Sequence, residues 1–381
     1  MYFVAIVLFL SALSFYELGK NRSCHEVLYL FVLLVMTLLL CFRYGQGTDY
    51  TNYLYPYDAE VRSFDSYFKK SMDHVEWGWY VMLLTIRKLD IPFEWFIAFI
   101  SVVMMVSLYR TLKLSPYKMT SLLLFIPTYY LTYCFSALRQ GLSVCLFLGF
   151  GLKLLLEKKY WRYCLLVVML SFIHFAMLIL LVLPIALKFK EKHFHLFAVL
   201  AFFMAVVLSR LPLARMAQLV LGTRAGYVEE AAFSLGGMAM RVLLFFIIWR
   251  LHHLGAPKDS ALYREEDALY RFYYTGFIIF LLFSPFGIIS SRLSMPMKTL
   301  EIVLIPLELY RNRALVFNRK ITRLPEMAMY VLALTLMMNA ECVKNINSYI
   351  DQQEYVGITV VNYPYVSVFD EERVWQISRR F

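Results

Sequence analysis

Arginine side chains next to apolar segments are the first candidates for chemistry, because a charge near or within a membrane is costly. A planar guanidinium binds phosphate through two parallel hydrogen bonds, whereas lysine is a compact point charge. Each arginine could instead extend its charge to the membrane surface while its stem covers apolar groups. Several together on the non-cytoplasmic side favour a phosphate or another anion as ligand. They are Arg43, Arg139, Arg224 and Arg292.

The stretch after Arg43 combines a turn with side chains that bind hydroxyl groups. Residues 43–53 read RYGQGTDYTNY. The two glycines permit a tight turn, and Thr48 can cap a new helix whose first turn favours an acidic residue. Asp49, Asn52 and Tyr53 would then share one helix face. A carboxylate, an amide and a phenol suit sugar hydroxyls; the alternative is that the aspartate serves only the helix start.

Two further titratable residues are candidates for a general base. Glu76 opens an apolar helix beside Trp77, whose ring could stack on a sugar. The plainer interpretation is a capping box, since Asp73 precedes the glutamate by three positions. His174 lies deep in an apolar run, where a lone histidine is usually a packing residue. In a broken helix that lines a wet cavity, it could orient a phosphate or move a proton.

The composition indicates the surroundings of these residues. The chain has 381 residues, of which 61% are hydrophobic and 17% charged. Soluble domains average about 45–50% apolar and about 25% charged. The apolar residues also form runs of the length that crosses a bilayer, and such runs must be helical to pair their backbone groups. We therefore predict an all-α polytopic integral membrane protein with about 10–13 transmembrane or partly inserted helices.

The charge distribution predicts how these helices are oriented. The net charge of +11 would suggest nucleic acid binding in a soluble protein. Here the basic residues cluster between apolar segments, as the positive-inside rule expects of cytoplasmic loops. We therefore expect a lipid bilayer as partner and no nucleic acid. This orientation places outside the cell interior the loops at 43–75 and 210–237 and the C-terminal tail at 341–381.

The predicted helices form a single transmembrane domain over residues 1–381, with no internal repeat. The segment 161–187 is long for one crossing, and basic residues at both ends favour a pair of short helices broken near His174. The loop 252–269 is expected on the cytoplasmic side. The predicted segments are 2–17, 26–42, 76–89, 93–109, 118–134, 137–156, 161–187, 194–209, 238–251, 270–284, 293–310 and 325–340.

Metal or cofactor chemistry finds no support in the sequence motifs. The six cysteines are scattered without a CxxC pair, and no Asp-x-Asp motif occurs. The pair His252 and His253 has no acidic or cysteine partner at metal-ligand spacing. No glycine-rich phosphate loop is present either. We predict no metal and no cofactor.

Residues 43–53 resemble the RxGxGTDYxxY signature of the EpsG family, which comprises Wzy-like polysaccharide polymerases. Later features follow in the family's order: residues 137–143 resemble its "RQ" helix start, 173–176 its "IHxSA" element and 362–365 its closing motif. Two departures occur. Gly141 and Ser143 replace the more usual Ile and Ala, and Ala176-Met177 replaces Ser-Ala, so that a hydroxyl group beside the histidine is missing.

The resemblance implies a GT-C-like glycosyltransferase in the bacterial inner membrane, with its active site on the periplasmic or extracellular face. Such enzymes polymerise oligosaccharide units carried on undecaprenyl pyrophosphate into O-antigen, capsule or exopolysaccharide. A flippase and a chain-length regulator are expected partners. A lipid-linked oligosaccharide flippase and an O-antigen ligase remain open as alternatives. Both also bind a lipid pyrophosphate.

The predicted chemistry is a single displacement that inverts the anomeric centre without a metal. Arginines stabilise the departing pyrophosphate, and a base removes the proton of the attacking sugar hydroxyl. The candidate bases are, in order, Asp49, Glu76 and His174. The candidate substrate-binding residues are Arg43, Arg139, Gln140, Arg224, Tyr227, Arg292, Asn52, Tyr53 and Trp77.

Overall fold

The computed structural model describes residues 2–59, 75–210, 235–254, 261–313, 329–337 and 365–378. Within these ranges the chain forms helices joined by short turns, without a β-sheet. An antiparallel β-bridge joins Arg43 to Ser367. The all-α prediction is confirmed.

The helices of the first half are α1 Tyr2–Lys20, α2 Glu26–Cys41, α3 Thr48–Ala59, α4 Trp77–Lys88, α5 Phe93–Leu112, α6 Lys118–Phe125, α7 Leu138–Leu146, α8 Leu152–Leu156 and α9 Tyr160–Ser171. Two π-helical stretches, Ile126–Cys134 and Phe147–Gly151, continue α6 and α7. A 3₁₀ helix, Phe175–Val182, follows α9. The remaining helices are α10 Leu183–Ala186, α11 Glu191–Leu208, α12 Leu235–His252, α13 Ala261–Leu282, α14 Gly287–Lys298, α15 Glu301–Arg311, α16 at 329–337 and α17 Glu371–Ser378.

Several of these helices are long and apolar enough to cross a membrane. In the described part of the chain they are Tyr2–Lys20, Phe93–Leu112, Leu138–Leu156 and Glu191–Leu208. Shorter apolar helices lie at Glu26–Cys41, Tyr160–Ser171 and Phe175–Ala186. Because a helix pairs its backbone groups internally, these segments are suited to the hydrocarbon core. The chain is a polytopic membrane protein, as predicted.

The chain divides into two compact units. The first contains Met1–Leu154, Trp161–Phe175 and Met337–Phe381. The second contains Leu155–Tyr160 and Ala176–Leu336. The sites described below each lie within one unit.

The break predicted near His174 is confirmed. Helix α9 ends at Ser171, and the 3₁₀ helix begins at Phe175. Between them the backbone turns, with the N–H of Ile173 and the N–H of His174 both donating to Leu170 O. The break leaves the carbonyl of Phe172 available to another segment.

Two predicted boundaries are wrong. The segment 293–310 is not one helix, because α14 ends at Lys298 and α15 begins at Glu301. Between them the backbone N–H of Leu300 bonds three residues back instead of four, which tightens the turn. The hydroxyl of Thr299 also donates to Met295 O, and such a bond bends helices. Arg292, which directly precedes the predicted segment 293–310, therefore lies inside α14.

The predicted loop 252–269 is also partly helical, since α13 begins at Ala261. Its acidic residues find partners that suit a helix. Asp267 pairs with Arg271 one turn later at 2.9 Å. Glu266 pairs with Arg311 of α15 at 2.7 Å. These ion pairs explain why a charged stretch that we predicted as a loop is helical.

Candidate active site

The N-terminus of α3 packs closely against the turn before α7, and glycine makes this approach possible. Gly47 has φ +90°, a conformation that L side chains rarely adopt. A Cβ atom added there would lie 2.4 Å from Phe135 O and 2.6 Å from Ser136 Cα. The signature motif therefore brings Asp49, in the first turn of α3, towards the start of α7, where Arg139 lies.

A second glycine holds the start of α4 against the turn after α9. The N–H of Gly78 donates to Phe172 O at 2.8 Å. A Cβ atom at this glycine would lie 2.7 Å from the same oxygen, so no larger residue fits without movement. This contact uses the carbonyl that the break at 172–174 leaves available. It places Glu76 beside His174.

The carboxylate of Glu76 is the centre of the site. Its Oε2 bonds to Arg139 Nη1. Its Oε1 accepts the backbone N–H of Phe175 at 3.0 Å and lies 3.5 Å from Nδ1 of His174. The side chains of the glutamate, arginine and histidine are 21%, 17% and 10% exposed. Residues from three distant parts of the chain thus meet in a largely buried cluster.

The capping-box interpretation of Glu76 is wrong. The residue occupies the N-cap position of α4 itself, with φ −68° and ψ 144°, and its side chain makes no capping hydrogen bond. In a capping box the glutamate would lie three residues inside the helix. Its carboxylate instead points to Arg139 and to the turn at 174–175. Asp73 lies outside the described residues.

Glu76 directly precedes α4 and is not part of the candidate membrane-crossing helices. Its charge state is determined by its burial and by the side chains around it. Burial raises the pKa of the carboxyl group, but the hydrogen bond of His174 and the charge of Arg139 lower it to about 2. Glu76 is therefore a carboxylate anion at neutral pH. Such a weakly basic carboxylate is a poor general base, since the best catalytic pKa lies near the operating pH. Its geometry instead suits holding the arginine and the histidine in place.

An aromatic bridge links Arg139 to Asp49. The guanidinium carbon lies 5.4 Å from the ring centroid of Tyr53. The hydroxyl of Tyr53 donates to Asp49 Oδ2 at 3.4 Å. The tyrosine is buried and also packs on Trp79 at 5.2 Å, which argues against the substrate-binding role predicted for it. Asp49 itself is half-buried.

Arg43 is fully buried and not a surface arginine, contrary to expectation. Its guanidinium lies 4.8 Å from the ring centroid of Phe135. The backbone on either side pairs with the C-terminal segment, through Tyr44 N–H to Val366 O and Val368 N–H to Phe42 O. The segment 365–370 therefore covers the start of the signature motif.

A sequence model described as the EpsG family matches residues 26–355. The chain belongs to the EpsG family. The match spans every described residue of the Glu76 cluster, and membership indicates a role in polysaccharide synthesis. Comparisons with curated proteins and with solved structures found no match.

The remaining predicted residues of this EpsG-family protein occupy varied positions. Gln140 is buried next to Arg139. Asn52 is exposed and Tyr53 is buried, so the two residues differ in exposure although both lie within one turn of Asp49 on α3, as predicted. Trp77 is 51% exposed beside Glu76, and its binding of a sugar stays a prediction. Arg292 is exposed on α14 in the second unit, while Arg224 and Tyr227 lie outside the described residues.

The EpsG-family chain also contains buried charges that our sequence reasoning missed. In the second unit, Arg241 of α12 donates to Glu301 of α15 at 2.6 Å, with side chains 7% and 0% exposed. Both residues interrupt apolar segments, which by itself marks a charge as a functional candidate in a membrane protein. That signal was present in the sequence. A second cluster surrounds His252, at the end of α12.

Proposed function

We propose that this EpsG-family protein is a membrane glycosyltransferase that polymerises oligosaccharide units carried on undecaprenyl pyrophosphate. The observation that supports this most is the Glu76 cluster, in which one carboxylate holds Arg139 and the His174 turn close to Asp49. The product would be O-antigen, capsule or exopolysaccharide. The reaction would take place on the periplasmic or extracellular face of the inner membrane.

Arg139 would bind the pyrophosphate of the donor lipid. A guanidinium carries several N–H donors in a rigid fork, so its contact with Glu76 through Nη1 is compatible with further bonds to phosphate oxygens. The glutamate fixes the direction of the fork before substrate arrives. Donors fixed in advance stabilise negative charge that develops on a leaving group, and they need no metal to do so.

Asp49 would act as the general base. The side chain of Asp49 is half-buried, so part of it is exposed to a substrate. Glu76 is the weaker candidate because its oxygens are bonded to Arg139 and to the N–H of Phe175. The base takes the proton of the acceptor sugar hydroxyl while that oxygen bonds to the anomeric carbon of the donor glycan. The bond from this carbon to the pyrophosphate oxygen breaks, and the lipid pyrophosphate leaves with the electron pair. One displacement inverts the anomeric centre.

His174 and Trp77 would have supporting roles. The buried imidazole of His174 lies next to the carboxylate of Glu76. We therefore propose that it holds this carboxylate in position. The exposed indole lies next to Glu76 and offers a flat surface for a sugar ring. Arg43 is enclosed by Phe135 and the C-terminal segment, which suits support of the signature motif better than direct lipid contact.

The proposal is tested in cells whose own copy of the gene is deleted, by separating the surface glycan by length on a gel. A polymerase deletion removes long chains and retains single repeat units on their acceptor. Expression of the wild-type protein restores the long chains. If the deletion also removes the single units, the protein acts as a flippase or ligase and the proposal fails.

A further inference from the structure

His252, the last residue of α12, lies among carboxylates from two other helices of the second unit. Its Nδ1 lies 2.7 Å from an oxygen of Glu308 on α15 and 3.4 Å from an oxygen of Glu266 on α13. The three side chains are 3%, 0% and 0% exposed. One imidazole nitrogen therefore faces two buried carboxylates at once. The proposed glycosyltransferase reaction does not use these residues.

The buried charges around this histidine do not balance when its ring is neutral. Asp267 is compensated by Arg271 at 2.9 Å. The two glutamates share Arg311, whose Nη1 lies 2.7 Å from Glu266 and whose Nη2 lies 2.7 Å from Glu308. One guanidinium against two carboxylates leaves one negative charge. An uncompensated buried charge is costly, so among the described residues the cluster must gain either a proton or a further cation.

The geometry suits a cation held by all three residues. Nδ1 of His252 and one oxygen from each of Glu266 and Glu308 lie within 4.8 Å of one another. A single N–H can make a good bond to only one of these oxygens, whereas a metal ion between them would contact all three. Nitrogen and carboxylate oxygen are ligands for zinc and related divalent ions.

The outer contacts are those that usually orient metal ligands. Nε2 of His252, on the far side of the ring, lies 3.7 Å from an oxygen of Asp267. This distance is too long for a hydrogen bond, but a small approach of the carboxylate would give the contact that usually orients a metal-bound histidine. Arg311 meanwhile contacts both glutamates and donates to the backbone carbonyl of His252 at 2.6 Å. The ligands are thus oriented from outside the cluster.

We propose that His252, Glu266 and Glu308 bind a divalent transition-metal ion of the zinc or manganese class. The ion would join the end of α12 to α13 and α15 and thereby stabilise the second unit. This role is structural. It is independent of the sugar transfer proposed for the Glu76 cluster, which needs no metal.

The test uses the full-length protein purified in detergent. Its metal content is measured by mass spectrometry, and its melting temperature is measured after chelation and again after addition of Zn²⁺ or Mn²⁺. We expect about one ion per chain, and a melting temperature that falls on chelation and recovers with metal. His252→Gln should abolish both the bound metal and the recovery.

The matched control is His253→Gln. This neighbouring histidine pairs with Glu191 at 2.8 Å, so its loss should leave the metal content unchanged. The proposal is overturned if the wild-type protein takes up neither ion after loading and its melting temperature changes neither on chelation nor on addition of metal. A protonated His252 would then supply the missing positive charge. This comparison needs only the wild-type protein, so it decides the matter even if the variant does not fold.

Discussion

The carboxylate of Glu76 bonds to the guanidinium of Arg139, which follows it by 63 residues. Both side chains are mostly shielded from solvent. The same carboxylate accepts the N–H of Phe175 and faces His174, so it joins the starts of α4 and α7 to the break after α9. Anchoring at both oxygens fixes the arginine in one orientation. The predictions for this cluster follow from that arrangement.

Arg139→Lys should lower the rate of chain elongation about 100- to 1000-fold, the usual cost of losing a preorganised donor to a developing anion. Lysine keeps the charge but loses the fork that can bind Glu76 and phosphate together. The rate is measured with purified protein and a lipid-linked repeat unit. Arg87→Lys, a half-exposed arginine at the end of α4, is the control and should elongate normally. Equal rates for both variants would refute the assignment.

Glu76→Gln should remove the part of the acid-pH dependence of the melting temperature that comes from protonation of Glu76. The pKa of Glu76 is lowered from 4.5 to about 2 in the folded protein. A lowered carboxyl pKa stabilises the fold fully above the unfolded value, and this contribution is lost as pH falls through the folded value. The melting temperature of the wild type relative to the variant should therefore decline from about pH 4.5 towards about pH 2. A constant difference over that range would contradict the ion pair.

Asp49→Asn should abolish elongation while leaving the melting temperature nearly unchanged. The amide keeps the size of the side chain and can still accept from Tyr53, but it cannot take a proton from a sugar hydroxyl. Asp58→Asn on the same helix is the matched control, since Asp58 is exposed. Should Asp49→Asn elongate at the wild-type rate, the base must be sought elsewhere.

Much of the helical layout was predictable from the sequence, because polar residues flank the apolar runs. The predicted segments 118–134 and 137–156 agree closely with the structure, which has helical chain over Lys118–Cys134 and Leu138–Leu156. The break near His174 followed from the basic residues at both ends of one long segment. Charge and hydropathy are local properties, so they fix local structure.

The site was predictable as a set of residue types but not as a geometry. Arginine, glutamate and histidine within apolar surroundings pointed to Arg139, Glu76 and His174. The outward direction of Asn52 and the burial of Arg43 depend on how α3 and the segment 365–370 pack. The partners of His252 were missed for a similar reason, because Glu308 lies 56 residues away and spacing rules consider only near neighbours.

Gly78→Ala should destabilise the protein and slow elongation together. The added methyl group would lie 2.7 Å from Phe172 O and 2.8 Å from Phe172 Cβ, so the turn that carries His174 must move away from Glu76. A misplacement of about 1 Å in a catalytic constellation can cost about 100-fold in rate. Gly19→Ala in α1 is the control, because nothing lies within 4 Å of its Cβ position. We expect that variant to be as stable as the wild type or slightly more so. Identical melting temperatures and rates for the two variants would show that the contact is not needed.

Arg241→Met should destabilise the protein strongly, whereas Arg241→Met combined with Glu301→Leu should recover much of the loss. The single change leaves the fully buried Glu301 without its cation, and breaking a buried pair costs about 3–5 kcal/mol. Replacing both members by apolar residues removes the uncompensated charge, which is often neutral for stability. Thermal unfolding in detergent measures both variants.

The elongation rate of the double variant then separates two roles of the ion pair. If elongation stays low although stability recovers, the pair contributes to function. If elongation recovers together with stability, the role of the pair is structural. A single variant as stable as the wild type would show that the charges are not coupled.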